Sequence, residues 1–479
     1  MPIADANNTT DAEFALARKL WEQSDVVRCE TILRELLARE PRHENATWLL
    51  AKLLQTQGRL DAASATVVEW CRKHDFHSQH SLRGAEFIQQ CHRQGLADKL
   101  CEDTLARHPT SAAFLALAGH VAREVGDFAR ARARYLAALD ANVDLDTIFV
   151  LGALAHTLRY ESAGHADFVR FTTHFADSHA APRARAATGF GLAKAYDDIG
   201  DFRSAARILR EANALVHAQQ SWSSSDWRKF VAQRMSERVA PVRVAIPADF
   251  VPVFVLGLPR TGTTLTATRI ARNARARDRG ELRTLRFIAE QLIAGEHLQD
   301  ANAIEEAAAL YFAHARQDDA PATWYIDQDP LNFRYMHVIA AMFPQARVVL
   351  CRRDRRDTAL SLWCQDFAHE DCGFAYDFAD IAGYMAGFDE LVTHWQRTLS
   401  ISIHVCDYED FVADPDAALA GLRAFIGMPS TETEAGGPAA PINSSSIWQA
   451  RQPVYKRSVG RWRAYAPFIP ELTQFPSRL

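Results

Sequence analysis

The sequence predicts two architectures in series: an all-α superhelix of repeated helix pairs, then an α/β domain with a central parallel sheet. Three observations predict them. The first half is rich in Ala, Leu, Arg and Glu, with apolar residues spaced by three and four, the period of helices that bury one face. Glycines recur at helix–helix junctions in that half. From about residue 250, short β-branched runs alternate with helical stretches, the pattern of a parallel sheet covered by helices. A length of 479 residues calls for more than one domain.

Gly58, Gly95, Gly126 and Gly200 each follow a helical segment. Three of them precede a second helix with a small residue near its start: Gly58-Arg-Leu-Asp-Ala62, Gly126-Asp-Phe-Ala129 and Gly200-Asp-Phe-Arg-Ser-Ala205. Gly58 and Gly126 lie 68 residues apart, as do Pro41 and Pro109. That interval is two periods of about 34, the tetratricopeptide period, with Gly at the turn and Ala at the tight helix contact. Residues 10–214 are therefore expected to form a tetratricopeptide-like superhelix, whose concave face suits a peptide. The other glycine intervals drift to 31, 37 and 74, so some units carry insertions. Residues 215–249, with the cluster Ser221-Trp-Ser-Ser-Ser225 and Pro241 and Pro247, are expected to form a helical bridging segment.

Residues 250–479 are expected to form the α/β domain, with strands at Val251–Leu256, Arg347–Cys351 and Ile401–Cys406. Residues 430–446 are rich in Gly, Pro, Ser and Thr and are expected to form a mobile loop. The tail from Ile447 to Leu479 is basic and aromatic.

Composition narrows the function classes. A net charge of −5 argues against wholesale nucleic-acid binding. No apolar run reaches the length of a transmembrane helix, and MPIADANNTTDAEF lacks the regions of a signal peptide, so a cytoplasmic protein is expected. Eight scattered cysteines without a CxxC pair argue against a zinc ribbon and for buried, reduced thiols. Eighteen histidines show no metal-ligand spacing. Structural or surface roles are expected for His297, His337 and His394, and no metal is expected.

The stretch Val253 to Thr268, VFVLGLPRTGTTLTAT, carries the strongest chemical signal. A β-rich run meets Gly257, a turn follows, and Thr263 and Thr264 open a helix. Glycines at such a corner let backbone N–H groups converge, and the helix start adds partial positive charge, a geometry that suits an anion. Gly257-x4-Gly262 has P-loop spacing, but Thr263 stands where the P-loop has Lys, and the cation sits earlier, at Arg260. A second stretch, Arg347-Val-Val-Leu-Cys-Arg-Arg-Asp-Arg-Arg-Asp-Thr-Ala-Leu-Ser361, ends a strand in an arginine cluster before a helix. Arg353 and Ser361, eight residues apart, can both donate to a phosphate. The cluster also fits a solvated, salt-bridged turn of Arg352 and Arg356 with Asp354 and Asp357.

GLPRTGTTL, GEL, DxDPLNF, CRRDRRDTALSLW, DYEDFVADP and SIWQARQPVYKRSVGRW occur in this order. Together they resemble the sulfotransferase domain that bacteria fuse to tetratricopeptide repeats, and they are similar to tyrosylprotein sulfotransferases. The resemblance spans about Phe250 to Phe468. It implies 3′-phosphoadenosine 5′-phosphosulfate (PAPS) as donor, with its phosphosulfate on Arg260, Thr261, Gly262, Thr263 and Thr264 and its 3′-phosphate on Arg353 and Ser361. It implies that Tyr408 lines the nucleotide, that Ser446 to Tyr455 closes over it, and that Arg461 supports it. Glu281 matches the catalytic base, Arg260 the cation that neutralises developing charge, and Ser446 a residue that helps stabilise the transition state. Without the resemblance, Glu281 fits an exposed helix Glu beside Arg279 and Arg283, and Tyr408 and Trp462 fit core aromatics.

Two positions depart from the family pattern. Gln328 stands where the family has a Lys that assists catalysis, followed by Asp329, and Arg355 stands where the family has Pro. A missing cation beside growing negative charge is costly; Arg334 is a candidate to compensate. The leading expectation is a PAPS-dependent sulfotransferase acting on a hydroxyl, with a protein or peptide tyrosine as one acceptor class and the repeats recruiting it. A P-loop kinase and a repeat scaffold with a nucleotide-binding but catalytically weak domain are the alternatives.

Overall fold

The computed structural model describes residues 3–108, 111–239, 244, 247, 249–367, 370–429 and 456–477. Thirteen helices precede the first strand among these residues. The chain forms two compact units: Met1–Val143 with Phe312–Ala320, and Asp144–Tyr311 with Pro321–Leu479.

The first unit is a helical array: α1 (Ile3–Glu22), α2 (Val26–Arg39), α3 (Glu44–Thr56), α4 (Leu60–Lys73), α5 (Ser78–Gln90), α6 (Gln94–Leu105), α7 (Ala112–Val125) and α8 (Phe128–Asp140). Left-handed backbone closes the turns at Gly58 (φ 73°) and Gly126 (φ 92°). The α5–α6 turn differs: His92 (φ 56°) takes the left-handed position, and Gly95 falls inside α6. Short polar side chains start several of these helices, Asp25 for α2, Ser111 for α7 and Asp127 for α8.

The helix α4 lacks such a local cap, because Arg59 precedes it. Asp318 does the work from 257 residues away: its carboxylate accepts from Asp61 N at 2.8 Å and Ala62 N at 2.9 Å. His314 bonds the carbonyl of Thr56 at 2.9 Å beside it. An anionic acceptor at a helix start satisfies orphan donors and opposes the helix dipole. Asp318→Ala is expected to cost roughly 0.5–2 kcal/mol, the usual range for a lost cap. Urea unfolding of the full chain checks it, and an unchanged midpoint would show that water caps α4 as well.

The second unit starts with more helices: α9 (Val150–Ala155), α10 (Ala166–Ala176), α11 (Pro182–Asp198), α12 (Phe202–His217) and α13 (Ser224–Ser236). The sheet follows. Its strands are β1 (Val251–Gly257), β2 (Ala276–Asp278), β3 (Trp324–Asp327), β4 (Arg347–Arg352) and β5 (Ser402–Asp407), all parallel, in the order β2-β3-β1-β4-β5. Between and after them run α14 (Thr263–Ile270), α15 (Arg283–Ala294), α16 (Ala301–Arg316), α17 (Met336–Met342), α18 (Arg355–Trp363), α19 (Phe378–Thr398), α20 (Tyr408–Ala413), α21 (Pro415–Ile426) and α22 (Trp462–Tyr465).

Near-continuous apolar residues, mainly Val and Leu, in β1 and in the interior of β4 reflect burial on both faces. On one face Val253, Val255, Val349 and Cys351 pack with Ala267 and Ile270 of α14 and with Leu422 and Ile426 of α21. The eight cysteines are unpaired; seven are buried and Cys364 is half-buried. From β1 the chain crosses first toward β2 and β3, then returns to the other side for β4 and β5. The carboxyl end of β1 is therefore a topological switch point, where open α/β sheets bind ligands.

The helices α11 and α12 brace the sheet's loops. Arg183 forks onto Asp366 at 2.7 and 3.1 Å. Asp197 accepts from Tyr465 at 2.6 Å and pairs with Arg461 at 2.5 Å. Asn213 donates to the carbonyl of Trp363, the last residue of α18, at 3.0 Å. No helix among the described residues is long and apolar enough to cross a membrane.

Candidate active site

Strand register sets the site. Gly257 pairs with Cys351, Phe254 with Asp327 and Arg352 with Asp407, so the ends of β1, β3, β4 and β5 lie side by side. At the end of β1 the chain can turn only because Gly257 (φ 155°) has no side chain: a Cβ there would sit 2.4 Å from the carbonyl oxygen of Cys351. Arg260 follows with left-handed backbone (φ 72°), a conformation that costs a non-glycine residue and concentrates at functional sites. Thr261 closes the turn, its hydroxyl donating to Leu258 O at 2.7 Å. Gly262 (φ 101°) then starts α14 without a side-chain cap. A Cβ on Gly262 would lie 2.8 Å from the ring of Tyr408, so glycine lets that ring approach the loop. The start of α14, with Thr263 and Thr264 buried in its first turn, is the electropositive corner that the sequence predicts.

The loop is tied to the strand β4 corner. Arg260 Nε donates to Ser361 Oγ at 3.1 Å. Arg353 donates to the carbonyls of Arg260 at 3.0 Å and Ser458 at 2.7 Å, and its guanidinium lies 4.9 Å from the ring centroid of Tyr408. Its Nε is buried without a hydrogen-bond partner among the described residues. Of the salt-bridged turn that also fits this cluster, the Arg356–Asp354 pair forms, while Arg352 pairs outside the turn, with Asp407 of β5. Arg352 forks onto Asp407 at 3.0 Å twice, and Arg356 pairs with Asp354 at 2.7 Å. Among the described residues Arg353 bonds carbonyls instead of carboxylates. Arg355 points away and pairs with Asp389 of α19, so its charge is neutralised there. Asp357 accepts from Gly460 N at 2.6 Å and Trp462 N at 2.8 Å and thereby holds the chain on either side of Arg461.

Arg260, Thr263, Thr264 and Glu281 line one cavity of ≈ 100 Å³, together with Arg283, Arg286, Asp329, Asn332, Arg334, Tyr335, Phe367, Asp371 and Cys372. Glu281 is not on a helix; it follows Gly280 (φ 69°) in the turn before α15. Burial, then the charges of Asp329 and Asp327, push its carboxyl up to about 8. Asp327, 1% exposed, accepts from Tyr311 at 3.0 Å; burial and Asp329 push it to about 8 as well. Asp329 is raised too, mainly by burial. Carboxyls crowded out of water resist ionising together.

Gln328 is buried, donates its backbone N–H to Gly280 O at 2.9 Å, and does not line the cavity. Arg353, Ser361 and Tyr408 adjoin the loop without lining the cavity, and Arg461 lies beyond them, on Asp197. Ser446 and the segment to Tyr455 lie outside the described residues, as does the loop from 430. Residues that sequence reasoning did not single out also reach the site: Asp371, Arg286 and Phe367 line it, and Trp227 and Phe230 of α13 stand behind Arg334. The Ser/Trp cluster at 221–225 was the available signal for that helix. Among the described residues no group of three or more His, Cys, Asp or Glu is arranged to hold a metal ion.

Comparison with known proteins gives this region a class. Residues 252–432 match the model of the sulfotransferase family. An uncharacterized protein of Aquifex aeolicus (strain VF5) is 30% identical over 320 residues, 61% of this chain and 42% of the relative. Protein-tyrosine sulfotransferase 1 of Danio rerio is 21% identical over 251 residues, 46% of this chain and 67% of the relative. Among solved structures, the sulfotransferase domain from the curacin biosynthetic pathway aligns at 14% identity and TM-score 0.27, covering 46% of this chain and 98% of that one. The chain spans 42% of the length of the Aquifex relative.

Proposed function

We propose that this protein transfers a sulfuryl group from PAPS to an acceptor hydroxyl. One observation carries the reading: the strained Arg260 loop and the high-pKa Glu281 line the same cavity, and Arg353 is hydrogen-bonded to that loop. The loop and the start of α14 offer donors and positive charge to a phosphosulfate. Arg353 and Ser361 hold the 3′-phosphate. The buried, unpartnered Nε of Arg353 fits that task, because a phosphate supplies acceptors that the protein does not. Tyr408, against the loop, lines the nucleotide, and Arg461, braced by Asp197, supports it from the tail.

In the reaction Glu281 takes the acceptor proton. The acceptor oxygen then bonds to sulfur as the bond from sulfur to the bridging phosphate oxygen breaks. Arg260 faces the charge that develops there. Positioning and electrostatics supply most of the acceleration, by analogy with phosphoryl transfer. Ser446 retains a transition-state role by resemblance alone. A protein or peptide tyrosine is the proposed acceptor, in keeping with the name of the Danio relative, and a tetratricopeptide-like array over 10–214 recruits it.

Adenosine 3′,5′-bisphosphate is expected to raise the melting temperature of the full chain, by linkage; at one hundred times Kd the gain is about 2.7 kcal/mol. Calorimetry without binding at millimolar nucleotide would sink the assignment. Tight ATP binding with phosphate transfer would replace it with a kinase. Labelled donor incubated with lysate of the source cell then identifies the acceptor class.

A further inference from the structure

We infer that Arg334 is a catalytic cation of this site, contacting the sulfuryl group in transit within the cavity it shares with Glu281. The inference rests on the sulfuryl-transfer reading and assigns the group a partner that reading does not contain.

Arg334 closes the turn Pro330–Tyr335, directly after β3, and is 8% exposed, yet it lines the cavity. Its bonds to the protein are few and mostly neutral. One Nη donates to the hydroxyl of Tyr384 at 2.8 Å. The other lies 3.7 Å from Asp371, beyond a hydrogen bond, and Asp371 is shared with Arg286. Nε is buried without a hydrogen-bond partner among the described residues. The guanidinium carbon sits 5.4 Å from the ring of Trp227, 5.9 Å from Phe230 and 5.6 Å from Tyr384. Ring faces hold a cation without consuming its donors. Trp227 stacks on Tyr384 at 4.5 Å, so the box is itself fixed.

The result is a buried guanidinium held by aromatic rings, with donor capacity to spare, in the cavity that the proposed base also lines. Such a group gains most when negative charge grows in front of it, because it need not reorganise and little water screens it. Gln328, nearby in sequence, is neutral and out of the cavity, so it does not fill this role. The step balances without Arg334 changing protonation. The proton goes to Glu281, the acceptor oxygen gains the bond to sulfur, and the electron pair of the broken bond leaves on the phosphate oxygen. Arg334 pairs with the non-bridging sulfuryl oxygens while this happens.

A brace between α13 and α19 is the competing role, and the test separates the two. The full chain and its Arg334→Met, Arg334→Lys and Arg334→Ala variants are given radiolabelled PAPS with 4-methylphenol, and label leaving the donor, to phenol or to water, is counted. Arg334→Met should lower kcat by about 10²–10³-fold, the range for one lost transition-state donor, while KM for the donor and affinity for adenosine 3′,5′-bisphosphate stay near those of the parent. Arg334→Lys should keep much of the rate, and methylguanidinium should restore part of it to Arg334→Ala. Parent-like kcat in Arg334→Met overturns the inference alone. So does a rate loss that tracks lost nucleotide affinity and melting temperature, the signature of a brace. A parent that neither binds the bisphosphate nor cleaves the donor overturns the sulfuryl-transfer reading as well.

Discussion

Glu281→Gln is expected to lower kcat for sulfuryl transfer by roughly 10²–10⁴-fold, the span of a positioned general base. Nucleotide binding should be nearly intact, because Glu281 lines the cavity and the residues proposed for the 3′-phosphate, Arg353 and Ser361, do not. Rapid-quench measurement of transfer with calorimetry of bisphosphate binding checks both halves. A variant that turns over at the parent rate would put the base elsewhere. The pH dependence follows from the crowding of carboxyls. Burial and two aspartates push Glu281 up to about 8, so the base form appears as pH rises through that value, and kcat should climb with it. Asp329→Asn removes one neighbouring charge and should move the climb to lower pH.

Stability should run the other way. Glu281 and Asp327 are pushed to about 8 in the folded protein, while ordinary carboxyls titrate near 4. Between those values the folded state binds more protons than the unfolded state. The stabilisation they contribute is full at acid pH and is lost as pH rises through the folded values. Melting temperature should therefore fall from pH 6 to 9 as activity rises, and Glu281→Gln should soften the fall.

The second large effect is on folding. Gly257→Ala should destabilise the second unit severely. A left-handed alanine costs on the order of 1–3 kcal/mol, and a Cβ 2.4 Å from the Cys351 carbonyl forces a sheet strand to shift, at a cost of about the same size. Gly200→Ala is the internal control. It has φ 81° but open space around its would-be Cβ, so only the backbone part applies. Denaturant melts of both variants give the comparison. Equal midpoints would show that β1 and β4 yield without cost.

What the sequence revealed tracks what each element depends on. The strands β1 and β4 follow from apolar runs that must be buried on both faces, and the partly exposed edge strand β5 from its β-branched Ile403 and Val405. The strands β2 and β3 were not read, since three and four residues carrying Arg277, Asp278, Tyr325 and Asp327 hold no periodic signal. The Arg260 loop was legible because glycines mark where backbone must come close. Arg353 and Ser361 were legible as a strand end and helix start eight residues apart. The box around Arg334 was not: Trp227 and Phe230 arrive from a helix about a hundred residues upstream, and only folding brings them to Tyr384. The helical half was legible as helical, but the grouping of α9 to α13 with the sheet in one compact unit was not, because a helix facing a sheet and one facing another helix are equally amphipathic.

The bracing by α11 and α12 bears on how such proteins can be recombined. A gene trimmed to start at Phe250 would encode every residue proposed for catalysis, yet would strip Arg461 and Tyr465 of Asp197, Asp366 of Arg183 and the end of α18 of Asn213. Half-buried charges would then lose their counterparts, which leaves each with an uncompensated desolvation cost. For exchange between relatives, the natural cut falls before α9, with α9 to α13 inherited together with the sheet.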